Sequence, residues 1–179
     1  MISVLADIAT TPNQGFWGGY GSDGYRILFA IHILAIIAAF GPLFTSRMLN
    51  HQAIKRTGED ARVFAAIPMA VTNRISMPAF IVAVIAGLGL VGASKDLYKF
   101  SQAWVSYAFS LVLVVALVYY FLLRPAQKRL VAAVQTGTPE EHATDAAIRS
   151  AKVTGAAATG LIHLCMVGLV LLMVWKPGL

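Results

Sequence analysis

Four apolar runs, each about 20 residues long and free of Asp, Glu, Lys and Arg, constrain this chain more than any other feature. They span roughly residues 27–46, 75–93, 104–123 and 155–175. About 20 consecutive apolar residues cross the hydrocarbon core of a bilayer as a helix. Lipid offers no partner to a bare N–H or C=O, so each run must satisfy its own backbone as a helix. The composition agrees. Of 179 residues, 58% are hydrophobic and 12% are charged, against about 25% charged in ordinary soluble domains. Such a chain cannot cover a water-facing surface. A soluble enzyme, a disordered tail and a nucleic-acid-binding domain are excluded, even with a net charge of +6. The expected fold is all-α: a polytopic membrane four-helix bundle over residues 25–177, preceded by an N-terminal segment, 1–24.

Lys and Arg set the expected orientation. The connections 47–74 and 124–154 carry Arg47, Lys55, Arg56, Arg62, Arg74, Arg124, Lys128, Arg129, Arg149 and Lys152. The opposite side carries Arg26, Lys95, Lys99 and Lys176. Cationic loops favour the cytoplasm. Both long connections are therefore expected inside and both termini outside, in a cell inner (plasma) membrane. Trp17, Tyr20, Tyr25, Tyr98, Trp104 and Trp175 then form an aromatic belt at the outer interface. Residues 1–24 lack the basic start and long apolar core of a signal peptide. Met1 to Ile8 read as a short interfacial helix, and the glycine-rich stretch 13–24 as an outer loop.

The two connections share a plan. Gly58 precedes Glu59 and Asp60; Gly137 precedes Thr138, Pro139, Glu140 and Glu141. Glycine suits a helix C-cap, and acids suit a helix start. Thr138 and Glu141 have capping-box spacing around Pro139. The helices are expected to extend past the membrane as two long hairpins, with helix four running from Pro139 to Trp175. Arg124-Pro125 reads as the end of helix three. The layout admits an ancient duplication. Small residues Ala83, Gly87, Gly89 and Ala93, and Ala156, Gly160 and Gly168, suit close helix packing within the bundle. A homodimer seam is the competing reading. Pro42, Pro68 and Pro78 are expected to kink or start helices.

Two of the four histidines lie within spans: His32 in the first and His163 in the fourth. Ionisable residues in a membrane are costly and often functional. Counted from the hairpin glycines, the two share one height. Counted from the middles of their runs, they differ by ~8 Å at 1.5 Å per residue. A facing pair would place two axial imidazoles on a b-type haem. The competing reading is an interhelical hydrogen bond, and a metal ion or proton relay is a third. His51 and His142 are expected to be solvated at the tips. Lone Cys165 behaves as a small hydrophobe. The scattered methionines read as core filler. No Ser-His-Asp set, phosphate loop or HExxH motif occurs.

Several short pieces carry a resemblance. They are His32-Ile33-Leu34, Phe40-Gly41-Pro42-Leu43-Phe44, Met77-Pro78, Gly87-Leu88, Trp104-Val105-Ser106-Tyr107, Arg124-Pro125 and Met173-Val174-Trp175-Lys176-Pro177. Over residues 25–177 the chain resembles the bacterial four-helix "predicted integral membrane protein" families. The layout is also similar to CopD-like domains and to the membrane protoporphyrinogen-oxidase-like family. The latter resemblance implies b-type haem with His32 as a ligand, although no basic residue lies within the spans to meet a porphyrin carboxylate. Three functions are consistent with these features. The first is a non-catalytic accessory or assembly subunit of a membrane complex, such as a respiratory one, with a membrane-protein partner or a second copy. The second is a haem b protein using His32 and His163. The third is a small transporter, for which the spans supply few polar residues. The bilayer is a partner throughout. Arg56, Arg62, Lys128 and Arg129 are expected near anionic headgroups.

Overall fold

The computed structural model describes residues 15–95 and 97–177, and these contain helices and turns but no strand. Four continuous helical stretches are long and apolar enough to cross a membrane: Asp23–Ile54, Gly58–Ala93, Ala103–Ala133 and Ala146–Trp175. Met1 to Ile8 fall outside the described residues.

Helix α1 is Asp23–Ile54. Ser22 caps it by accepting from the Tyr25 N–H, and Asp23 faces the positive end of the helix dipole. A three-residue tip leads to α2, Gly58–Val71. The chain then passes through a π-turn, Thr72–Ser76, into α3, Met77–Ala93. The second hairpin begins with α4, Ala103–Val118, followed by a π-turn, Tyr119–Leu123, and α5, Arg124–Ala133. After the second tip come the short α6, Pro139–Thr144, and the long α7, Ala146–Trp175. Gly58 and Gly137 hold positive φ at the tips, +57° and +98°.

Two expected helix limits are corrected. Helix three does not end at Arg124-Pro125. Proline lacks an N–H and crowds the carbonyl four residues back. The chain absorbs this by widening one turn, so the Arg124 N–H reaches the Tyr119 carbonyl and the helix continues. Met77-Pro78 repeats the device, with the Met77 N–H on the Thr72 carbonyl. Helix four does not start at Pro139. The capping box of Thr138 and Glu141 forms. The helix nevertheless breaks at Asp145, whose backbone is extended and whose carboxylate accepts from the Ala147 and Ile148 N–H groups. An N-cap in mid-sequence is strong enough to restart the helix.

The π-turns lie in the second and third spans. A repeated hairpin would carry them in the second and fourth, so the structure gives the duplication no support. Packing runs α1 against α2 and α3, α7 against α4 and α5, and α2 against α5. At the tip end the four helices close around Ala53, Ala61, Ala65, Val134, Ile148 and Ala151. Small side chains permit that close approach. The middle holds Phe40, Leu43, Val115, Leu123, Ala158 and Ile162. At the termini end, Tyr25, Leu90, Tyr98, Trp104 and Val105 form a third cluster.

Candidate functional site

His32 is 6% exposed and its Nδ1–H donates to the Ala83 carbonyl at 2.7 Å, tying α1 to α3. A carbonyl can only accept, so the proton sits on Nδ1 and Nε2 carries the lone pair. The ring packs against Gly87, where an added Cβ would meet Cε1 at 3.0 Å. Helix α3 comes this close because Gly87 has no side chain. Gly89 does the same for Leu28, and Gly168 for Leu111. Beside His32 is an apolar cavity of about 180 Å³, lined by residues of α1, α3, α4 and α7. Its outer end is closed by Tyr25, Tyr98, Trp104 and Lys176. The Lys176 ammonium donates to the Tyr98 hydroxyl. Of the expected belt residues, Tyr98 meets Tyr20 and Trp104 edge to face here and Tyr25 lies tilted against Tyr20, while Trp17 and Trp175 are exposed.

His163 sits elsewhere. Its ring stacks on Phe44 at 4.1 Å between centroids and 28° between planes. Phe44 is 12 residues beyond His32 on the same helix, so the two histidines differ in height by ~18 Å at 1.5 Å per residue. The expectation of one shared height is thereby corrected. The count from the hairpin glycines overlooked the break at Asp145, which shortens the path along helix four. One iron cannot take both rings. The cavity beside His32 is also below the ~300–1,000 Å³ usual for a bound small molecule, so a shared macrocycle does not fit between them.

His163 lines a second, larger crevice of about 650 Å³ between the tip halves of α1 and α7. Ala156 and Gly160 also line it, and an added Cβ at Gly160 meets nothing within 4 Å. These two positions do not serve the bundle packing expected of them. They face outward. The His163 Nε2 atom is buried without a hydrogen-bond partner, as is Asn50 Oδ1 on the opposite wall.

His51 is exposed, as expected. His142 is not solvated: it is 3% exposed. Its Nε2–H donates to the Thr136 carbonyl at 2.8 Å, and Nδ1 faces the Ile54 carbonyl at 3.4 Å. A neutral imidazole has one N–H, so the hydrogen bond closes the second tip on itself, and the buried ring packs that tip against the end of α1. Its sequence neighbours Glu141 and Ala143 gave no sign of burial. Also unanticipated is the bond from the Tyr119 hydroxyl to Asn73 Oδ1, 2.5 Å, which joins the two π-turns. Both residues border a span next to an X-Pro pair, the signal that points to them. Lone Cys165 is buried, and no group of three His, Cys, Asp or Glu that could hold a metal ion occurs among the described residues.

This arrangement of four apolar helices agrees with a comparison against known families. Residues 26–177 match the family described as "Predicted integral membrane protein (DUF2269)". The chain belongs to the DUF2269 family. The match covers nearly all of the described helices, from the first turns of α1 to the end of α7. As a DUF2269 member the chain is an integral membrane protein. No curated protein and no solved structure matches it.

Proposed function

We propose that this protein is a non-catalytic accessory or assembly subunit of a larger membrane complex. In this reading it lies in the inner membrane with both tips in the cytoplasm and both termini outside. One observation carries the reading: His32, Tyr119 and several hydroxyls in the spans act as fasteners. His32 clasps α3, Tyr119 clasps Asn73, and Ser46, Thr72 and Ser110 donate to carbonyls three or four residues back in their own helices. Groups spent in this way hold a shape and leave long apolar faces for lipid or for another subunit's helices. Ten Lys and Arg on the tip side against four on the other support the orientation.

The test is the size of the protein extracted from its own membrane in a mild detergent. It is expected to migrate as part of an assembly larger than a micelle-bound monomer, with no Soret band. A lone monomer without a co-purifying partner overturns the subunit reading. A Soret band with sharp reduced α and β bands, lost in His32→Ala or His163→Ala, would establish the haem reading instead. Orientation is read separately from Thr57→Cys and Thr136→Cys in a Cys165→Ala background. An impermeant maleimide should label them only after the inner face is opened.

A further inference from the structure

The crevice between α1 and α7 is left unused by the subunit reading, and it has the makings of a binding site. Its walls present three cations, Arg47, Arg149 and Lys152, and no carboxylate. The two ion pairs found among the described residues, Arg26–Asp23 and Arg62–Glu59, involve none of them. The nearby acids are committed. Asp145 caps α7, and Glu141 accepts from the Thr138 N–H. His142, which also lines the crevice, is tied to backbone carbonyls. Asn50 Oδ1 and His163 Nε2 are buried polar atoms with no partner in the protein. Leaving such atoms unpaired is costly, and a guest that donates to Asn50 Oδ1 and pairs with His163 Nε2 would relieve that cost.

The heights of these groups follow the layers of a leaflet. Phe44 lies about seven residues past the midpoint of the apolar run 27–46, so ~11 Å from the mid-plane at 1.5 Å per residue. The hydrocarbon core extends ~15 Å from the mid-plane. The Phe44–His163 stack therefore lies just inside that boundary, at the depth of lipid ester groups. Arg47 and Asn50 lie one and two turns higher, at the depth of phosphates. Lys152 and Arg149 lie higher still on the facing helix. The crevice opens sideways, because Phe44, Val153 and Gly160, which line it, are exposed. The volume, about 650 Å³, falls within the usual range for small-molecule sites.

We propose that this crevice binds the headgroup of an anionic phospholipid of the cytoplasmic leaflet. The phosphate lies among Arg47, Arg149 and Lys152, a headgroup hydroxyl donates to Asn50 Oδ1, the glycerol ester region lies near Gly160 and His163, and the chains leave past Phe44 into the bilayer. A basic pocket between membrane helices on the cytoplasmic side is suited to such a headgroup.

The experiment is native mass spectrometry of the full-length protein in detergent, titrated with phosphatidylglycerol or phosphatidylcholine. Phosphatidylcholine carries the same phosphate but its choline cation cancels the charge; each protein cation facing a net negative headgroup contributes about fivefold, so three give a preference for phosphatidylglycerol on the order of a hundredfold. One retained phosphatidylglycerol per chain is expected. Arg47→Gln/Arg149→Gln/Lys152→Gln should abolish that preference, while Lys128→Gln/Arg129→Gln, on the exposed face of α5, should keep it. Gly160→Leu alters no charge, and its Cβ meets nothing within 4 Å; it should lose the lipid by filling the mouth. Equal retention of the two lipids, or retention unchanged in both the triple variant and Gly160→Leu, overturns the proposal. Displacement of the lipid by millimolar inorganic phosphate would assign the site to a free anion and overturn the lipid assignment.

Discussion

Replacing Gly87 with alanine should reverse its effect on stability according to whether His32 is present. In the native protein the new methyl would lie 3.0 Å from His32 Cε1 and 3.4 Å from Nδ1. Comfortable carbon contacts begin near 3.5 Å, so the ring must retreat by ~0.5 Å. It cannot do so freely, because its Nδ1–H is held at 2.7 Å from the Ala83 carbonyl. Overpacking of this kind costs about 1–3 kcal/mol. Alanine returns about 1 kcal/mol over glycine in a helix interior. The net is a destabilisation of about 1 kcal/mol. His32→Ala alone should cost about 2–3 kcal/mol, from the lost ring packing and one hydrogen bond. The lower part of the usual range applies, since the Ala83 carbonyl keeps its own helical partner. In the His32→Ala background the obstruction is gone and the Gly87 methyl fills vacated space. Gly87→Ala should then stabilise by about 1 kcal/mol, a coupling of about 2 kcal/mol between contacting residues. Reversible unfolding in mixed micelles titrated with dodecyl sulfate, read by far-ultraviolet circular dichroism, measures all four corners of the cycle. An equal cost for Gly87→Ala in both backgrounds would refute the clasp.

Two further outcomes follow from the polar fasteners. Tyr119→Phe removes the bond between the π-turns and should cost about 0.6 kcal/mol, up to about 1.7, the range for interhelical hydrogen bonds in membranes; Asn73→Ala should add little in that variant, and additive costs in the same unfolding assay would dismiss the pairing. His142→Ala frees the Thr136 carbonyl and should loosen the tip by about 1–3 kcal/mol; amide exchange over residues 134–145 should quicken tenfold or more while the spans are unaffected, and unchanged exchange there would show that His142 pins nothing.

The legible part of this fold is the part dictated by lipid. Uncharged runs of about 20 residues leave few alternatives to helices, and the tip caps at Thr138 and Glu141 follow from local chemistry that needs no tertiary context. The signals that misled are those whose outcome depends on a neighbour. Pro125 marks a disturbed turn, but whether a helix stops or widens depends on packing beyond it. Here Leu130 and Val134 are buried against the other helices and favour continuation. His142 sits in a polar stretch and looks solvated, yet its ring is buried between the Thr136 and Ile54 carbonyls. Ala156 and Gly160 have the spacing of a packing face, and nothing in their own helix says which side its neighbours occupy. The crevice was the least legible feature. Arg47 meets Arg149 and Lys152 only because α1 and α7 are adjacent, although they come from opposite ends of the chain.

The placement of the two prolines bears on where this protein can exchange anything with its surroundings. Thr72 is 14 residues after Gly58, and Leu123 is 14 before Gly137, so both π-turns lie at one height. The Tyr119–Asn73 bond fits that registry. Each proline and widened turn disturbs the backbone pairing of its helix, and an orphan carbonyl in mid-membrane costs several kcal/mol. Thr72–Ser76 lies 8–12 residues from the middle of its apolar run and Tyr119–Leu123 about 6–10 from the middle of its own, so ~12–18 Å and ~8–14 Å from the mid-plane at 1.5 Å per residue. Those depths reach the hydrocarbon boundary, where headgroups and water satisfy what the helix cannot. The same layer carries Asn50, Ser46 and the mouth of the cationic crevice. The half toward the termini has the opposite character: a small apolar cavity, a histidine locked to a carbonyl and an aromatic seal ending in Lys176. A polar guest therefore meets far lower cost on the tip side, and binding that is sensitive to Arg47, Arg149 and Lys152 should be insensitive to His32→Ala.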